Sequence, residues 1–266
     1  MGARRGKKIG NTRLKAIAGA IQKGGQGKTS QTVHIAFALE EMGVRAAVID
    51  CDTQGSASWT LSSRDSGYPA SALFTGTPED LRSYFDERDN TGLSLIAADD
   101  ALADVEKMDQ AEAMGNFRAN MEALGDYVDV AVIDTPPSLG VILSAVLVSS
   151  DYVFCPLEME AYSLQGIAKL LTVIHNLMDY NPGLEFIGMI PNKIDSRKPR
   201  HLDNLAQVKN AYPDLVAPVA IGLRDSIAEA VGDQMPVWHV KKTAARVATR
   251  EMRAMIDYVF KKMELV

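Results

Sequence analysis

The sequence predicts an α/β fold built on a doubly wound, mostly parallel sheet flanked by helices. Short segments that are apolar on both faces, several of them β-branched, recur along the chain, as strands covered on both sides require. Stretches with helical periodicity separate them and give a β-α-β alternation. The 266 residues, 47% hydrophobic and 23% charged, suffice to bury a large core. That composition excludes a disordered chain and a miniature disulfide scaffold.

Residues 1–13 read as a basic arm. Arg4, Arg5, Lys7, Lys8, Arg13 and Lys15 fall within the first 15 residues, which hold no acid. One domain is expected from 14 to 266. Its predicted strands are Lys15–Ile21, Val44–Asp50, Leu93–Ala97, Val128–Asp134, Tyr152–Pro156 and Leu184–Ile190, and its predicted helices are Thr29–Met42, Ala113–Leu124, Leu139–Ser149 and Ser163–Met178. Ser62–Asn90, rich in Gly, Pro, Ser and charge, reads as an irregular surface excursion, because the strand pattern resumes after it. Near the end Met252, Met255, Ile256, Val259, Phe260 and Met263 recur at helical spacing, so a terminal helix should dock this stripe on the sheet.

A net charge of −6 offers no global basic signature for nucleic acid. Placement changes that picture. Residues 236–266 carry seven bases against three acids and residues 193–209 five against two, so with the arm the bases are gathered into three segments. A local patch is enough for non-specific contact with DNA phosphates. Cys51 and Cys155 lack metal-ligand spacing and read as reduced thiols. No apolar run approaches the roughly 18 residues that span a bilayer, and no signal-peptide core follows the basic start, so a cytoplasmic protein is expected.

The first predicted strand runs into Gln22-Lys23-Gly24-Gly25-Gln26-Gly27-Lys28-Thr29-Ser30, where helical periodicity begins. Three glycines in four positions let successive backbone N–H groups curl inward, and the helix adds its positive end, which together cradle a polyphosphate. Lys28 would reach the β and γ phosphates, and the Thr29 hydroxyl would ligate Mg²⁺. Asp50 and Asp134 each end an apolar strand, where a carboxylate is costly without a cation. They are candidates to hold the waters of that Mg²⁺; for Asp134 alone a helix N-cap is the competing reading.

Lys23 and the loop it opens resemble the deviant Walker A motif of the ParA/MinD family of ATPases, a branch of the P-loop NTPases. Asp50-Cys51-Asp52-Thr53-Gln54-Gly55-Ser56-Ala57-Ser58 resembles the family's Walker A′ segment, with Thr53 where proline is usual. Val132-Ile133-Asp134-Thr135-Pro136-Pro137-Ser138-Leu139-Gly140 is similar to its Walker B. Pro156-Leu157-Glu158, the 161–166 block, Ile190-Pro191-Asn192-Lys193 and Gly222-Leu223-Arg224 extend the likeness over residues 14–262. Within the family the chain looks most like plasmid partition ParA proteins of the incompatibility-P type, through Pro236–Trp238 and Lys241–Arg246.

The resemblance implies an ATPase using ATP and Mg²⁺. Asp52 would position the hydrolytic water, and Lys23 would reach the nucleotide of the opposite subunit in an ATP-bound homodimer. Nucleotide binding falls on Lys23, Gly24, Gly25, Gln26, Gly27, Lys28, Thr29 and Ser30, with Asn192, whose amide offers the donor and acceptor that adenine's edge needs. It further implies non-specific double-stranded DNA as a partner, a ParB-like centromere-binding adaptor that stimulates hydrolysis, and association with the nucleoid. Arg197 and Arg224 match family DNA-contacting arginines; Lys241, Lys242, Arg246 and Arg250 join them on charge alone. A MinD-like membrane-cycling ATPase is the alternative, and a dethiobiotin synthetase-like ligase and a nitrogenase iron protein-like reductase are weaker ones.

Overall fold

The structure is a computed structural model that describes residues 13–21, 24–88, 91–159 and 164–266, with backbone alone for 164–166. The arm up to Thr12, Lys23 and the first part of the 161–166 block lie outside the described residues. The chain runs β1 (Lys15–Gly19), α1 (Lys28–Glu41), β2 (Ala46–Asp50), α2 (Ser56–Thr60), β3 (Asp65–Pro69), α3 (Ala72–Thr75), α4 (Pro78–Asp86), β4 (Leu93–Ala97), α5 (Leu102–Val105), α6 (Gln110–Leu124), β5 (Val130–Asp134), α7 (Val141–Val148), β6 (Tyr152–Glu158), α8 (Leu164–Met178), β7 (Glu185–Asn192), α9 (Pro199–Ala211), α10 (Asp225–Gly232) and α11 (Ala245–Lys262).

The strands form one sheet in the order β3-β4-β2-β5-β1-β6-β7, and every pairing is parallel. The expected doubly wound α/β architecture is therefore present. Side-chain alternation divides the core into two layers. Ala16, Ala18, Ala131 and Ile133 face α6, α7 and α8, while Ile17, Val130 and Val132 face α1 and α11. Strand β1 lies between β5 and β6, at the point where the winding reverses, and the crevice at the carboxyl ends of such strands is where ligands bind in open α/β sheets.

The six expected strands are all present, but 62–90 is not an irregular excursion. It supplies the seventh strand, β3, at the sheet edge, followed by α3 and α4, and it buries Tyr68, Leu73, Phe74, Leu81 and Phe85. A capping box at Thr77 and Asp80 starts α4. Helix α11 docks as expected: all six residues of its apolar stripe are buried. Each such side chain contributes about 1.5–3 kcal/mol on burial, so this face is committed to the core. Among the described residues no helix is long and apolar enough to cross a membrane. Cys51 and Cys155 are buried free thiols.

Candidate nucleotide site and basic surface

Parallel pairing places the ends of β1, β2 and β5 side by side. Asp50 and Asp134 are register partners, and Gly19 pairs with Asp134 from the other side. Beyond Gly19 the loop turns into α1 through Gly25 and Gly27, at φ 82° and 87°. A side chain at Gly27 would also collide with the Asn192 amide, so glycine is required there twice over. Gly24 and Gly25 border open space.

Below the loop the side chains converge. The Lys28 ammonium donates to Asp134 Oδ1, and both residues are buried. Thr29 Oγ1 donates to Asp134 Oδ2 at 2.6 Å. Asp134 is not a helix N-cap, because the backbone of Gly140 caps the next helix. Asp50 accepts from the Ser58 amide and hydroxyl, each at 2.8 Å, and from the Asp52 amide at 3.2 Å. Burial and the neighbouring Asp134 charge push its carboxyl up to about 6. Asp52 is half-buried and accepts the Gln54 amide at 3.0 Å.

The last strand, expected to end at Ile190 or Pro191, continues through Asn192 as β7, because Leu157 and Glu158 extend β6 beside it. The Asn192 amide consequently meets the loop, donating to the Gln26 carbonyl at 2.6 Å. Lys193 donates to the Gly25 carbonyl. Ser58 on α2 and Lys193 after β7 both fall in segments that carry the resemblance; the Ser58 contact is local to the turn that follows β2, whereas the Lys193 contact joins segments brought together across the sheet.

Of the candidate DNA residues, Arg197 and Arg224 come from segments that meet. Ile194 bridges Gly222, and the Leu223 amide donates to the Ile194 carbonyl at 3.0 Å, so the segments of Arg197 and Arg224 are neighbours. Arg224 grips Glu251 of α11 at 2.6 and 3.1 Å. Lys241, Lys242, Arg246 and Arg250 are exposed near the start of that helix. Three of the six cations are held by carboxylates: Arg197 by Asp195, Arg224 by Glu251 and Lys242 by Glu229.

The AAA domain family matches residues 14–186. Protein IncC of Escherichia coli is 56% identical over 265 residues, covering all of this chain and 74% of that protein. A cobyrinic acid a,c-diamide synthase from Mycobacterium smegmatis, solved with ADP and magnesium, is 27% identical with a TM-score of 0.66, covering 94% and 96% of the two chains. A plasmid partition protein from Borrelia burgdorferi shares the fold at 22% identity and a TM-score of 0.68, covering 94% and 100%. A strand-to-helix phosphate loop backed by two strand-end carboxylates, together with kinship to IncC along the whole of this chain, places it in the ParA/MinD family of plasmid partition ATPases.

Proposed function

We propose that this ATPase binds double-stranded DNA without sequence preference as an ATP-loaded homodimer and lets go when a ParB-like centromere-binding adaptor stimulates hydrolysis. It would work in the cytoplasm, associated with the nucleoid. The observation that carries the nucleotide half is the meeting of Lys28, Thr29, Asp50 and Asp134 beneath one glycine loop.

The residues fit Mg²⁺ and a triphosphate. Two buried carboxylates end adjacent strands and one buried ammonium, Lys28, is bonded to Asp134, so the site has room for further positive charge, and the Ser30 hydroxyl is buried with no partner among the described residues. Thr29 would ligate Mg²⁺, and Asp50 and Asp134 would hold its waters. When bound, Mg²⁺ offsets charge on the β and γ phosphates. Lys28 has to leave Asp134 to meet phosphate, which exchanges one charge pair for another. Glycine-loop N–H groups and the N-terminus of α1 orient the phosphates. Asp52, by resemblance, would align the attacking water. Lys23, by resemblance, adds a cation from the opposite subunit, which would tie hydrolysis to dimerisation.

The DNA half is supported by the neighbouring segments of Arg197 and Arg224, the tie of Arg224 to α11 and the exposure of Lys241, Lys242, Arg246 and Arg250 near the start of that helix, in a chain whose net charge is negative. Two copies joined by ATP would double that surface, and phosphate contacts add. The membrane-cycling alternative loses support from α11, whose apolar face is buried in the core. DNA retention with ATP, ADP and no nucleotide at two salt concentrations tests the proposal. Retention that needs ATP and falls with salt is expected; equal retention in all three states would sink it.

A further inference from the structure

We infer that Lys193 is a positioning residue for the nucleotide, acting through the phosphate loop; this rests on the nucleotide reading above and on no part of the DNA reading. Lys193 follows β7 directly and donates its ammonium to the carbonyl of Gly25. Its neighbour Asn192 donates to the carbonyl of Gln26 at 2.6 Å. Two consecutive peptide units of the loop are thus gripped by two consecutive side chains from the same strand end.

Peptide geometry decides what these grips do to the loop. A peptide unit is planar and trans, so its C=O and N–H point in opposite directions. Among the described residues there are no cis bonds. Holding the Gly25 carbonyl outward turns the N–H of Gln26 the opposite way, and holding the Gln26 carbonyl does the same for the N–H of Gly27. These are the donors that a phosphate between the loop and α1 needs. The loop's glycines leave it free to adopt other curls, so outside grips are required to select this one.

Lys193 has a left-handed backbone, φ 52°, which a lysine rarely adopts. Strain of this kind persists where the surroundings over-determine it. Here the surroundings are visible: the next residue, Ile194, is anchored on both sides, its amide donating to Ile221 and its carbonyl accepting from Leu223, each at 3.0 Å. The Gln26 side chain adds a third tie, accepting from the Glu158 amide at 3.2 Å.

The test compares Lys193→Met, Lys193→Arg and Lys193→Gly in the full chain, with ATP and Mg²⁺ as the probe. Lys193→Met keeps the stem and loses the donor, so KM for ATP should rise about tenfold while kcat stays within about twofold, the signature of lost ground-state binding. Lys193→Arg should restore most of the affinity. Lys193→Gly relieves the backbone strain yet lacks the grip, so it should bind ATP as poorly as Lys193→Met while unfolding no more readily than wild type. Wild-type KM in Lys193→Met, or failure of the arginine variant to rescue, would overturn the assignment. If Lys28→Ala also left ATP binding intact, the fault would lie with the nucleotide site as a whole.

Discussion

Asp50 and Asp134 end adjacent strands in register, both buried, with Lys28 as the cation bonded to Asp134 and a serine hydroxyl, Ser58, on Asp50. The site holds a surplus of negative charge, which makes its cation requirement measurable.

Replacing Lys28 by Ala should abolish ATP binding, because Lys28 is the buried ammonium that meets the strand-end carboxylates beneath the loop. It also strands a buried carboxylate, which costs about 3–5 kcal/mol unless a proton is taken up. Calorimetric titration with ATP and denaturant unfolding check both; unchanged ATP affinity would refute the site.

Asp52 is half-buried, and the bond described for its carboxylate is a local turn, so it is free to serve water rather than hold the nucleotide. Asp52→Ala should lower hydrolysis about a hundredfold or more while ATP affinity changes little. The variant should stay on DNA once loaded with ATP. Normal turnover would remove Asp52 from the reaction.

Glu251 takes the Nε and Nη2 donors of Arg224 at 3.1 and 2.6 Å and offsets the charge that Arg224 would offer a phosphate. Arg224→Ala should weaken DNA binding and reduce the salt slope by about 0.9 for each phosphate that is no longer neutralised. Glu251→Gln retains an acceptor for the Gly222 amide but releases the guanidinium, so its DNA affinity should rise about threefold or more. Opposite behaviour of the two variants is the expected pattern; loss of ATP-driven dimerisation in Arg224→Ala would identify an interface residue instead.

His34 and Asp50 give opposing pH dependences in the nucleotide-free, Mg²⁺-free protein. His34 is buried on α1, bonded to the Ser30 carbonyl and accepting the Val237 amide, and burial lowers its pKa to about 4. Its unfolded form takes a proton first as pH falls from 6.5 to 4, so stability drops through that window. For Asp50, raised to about 6, the folded form keeps its proton longer, so stability drops as pH rises from 3.8 to 6. The two effects run in opposite directions and offset each other. Unfolding by denaturant between about pH 4 and 7 should therefore depend less on pH for wild type than for a variant that lacks either group. Asp50→Asn should gain stability with rising pH and His34→Gln should lose it; parallel profiles for all three would contradict the opposition.

Much of the fold was legible because buried parallel strands are apolar on both faces, a pattern that needs no partner to be recognised. Strand β3 escaped because Asp-Ser-Gly-Tyr-Pro at an edge buries only Tyr68 and looks like a turn. The phosphate loop, Asp50 and Asp134 were legible as strand-end chemistry, since a carboxylate closing an apolar run is conspicuous. Ser58 and Glu251 were not, because a serine on a short helix or a glutamate on a basic one has many ordinary uses.

The sequence by itself determined six of the seven strands in order, the loop that can cradle phosphate and the segregation of its basic residues. Only the tertiary structure decided that Lys28 rests on Asp134, that Asn192 and Lys193 grip two loop carbonyls and that half of the candidate DNA cations are held by carboxylates. The physical reason is range: propensity and periodicity act over a few residues, whereas hydrogen bonds and ion pairs join whatever the sheet places within about 3 Å. For the loop and its lysine clamp, that means two segments 168 residues apart in sequence.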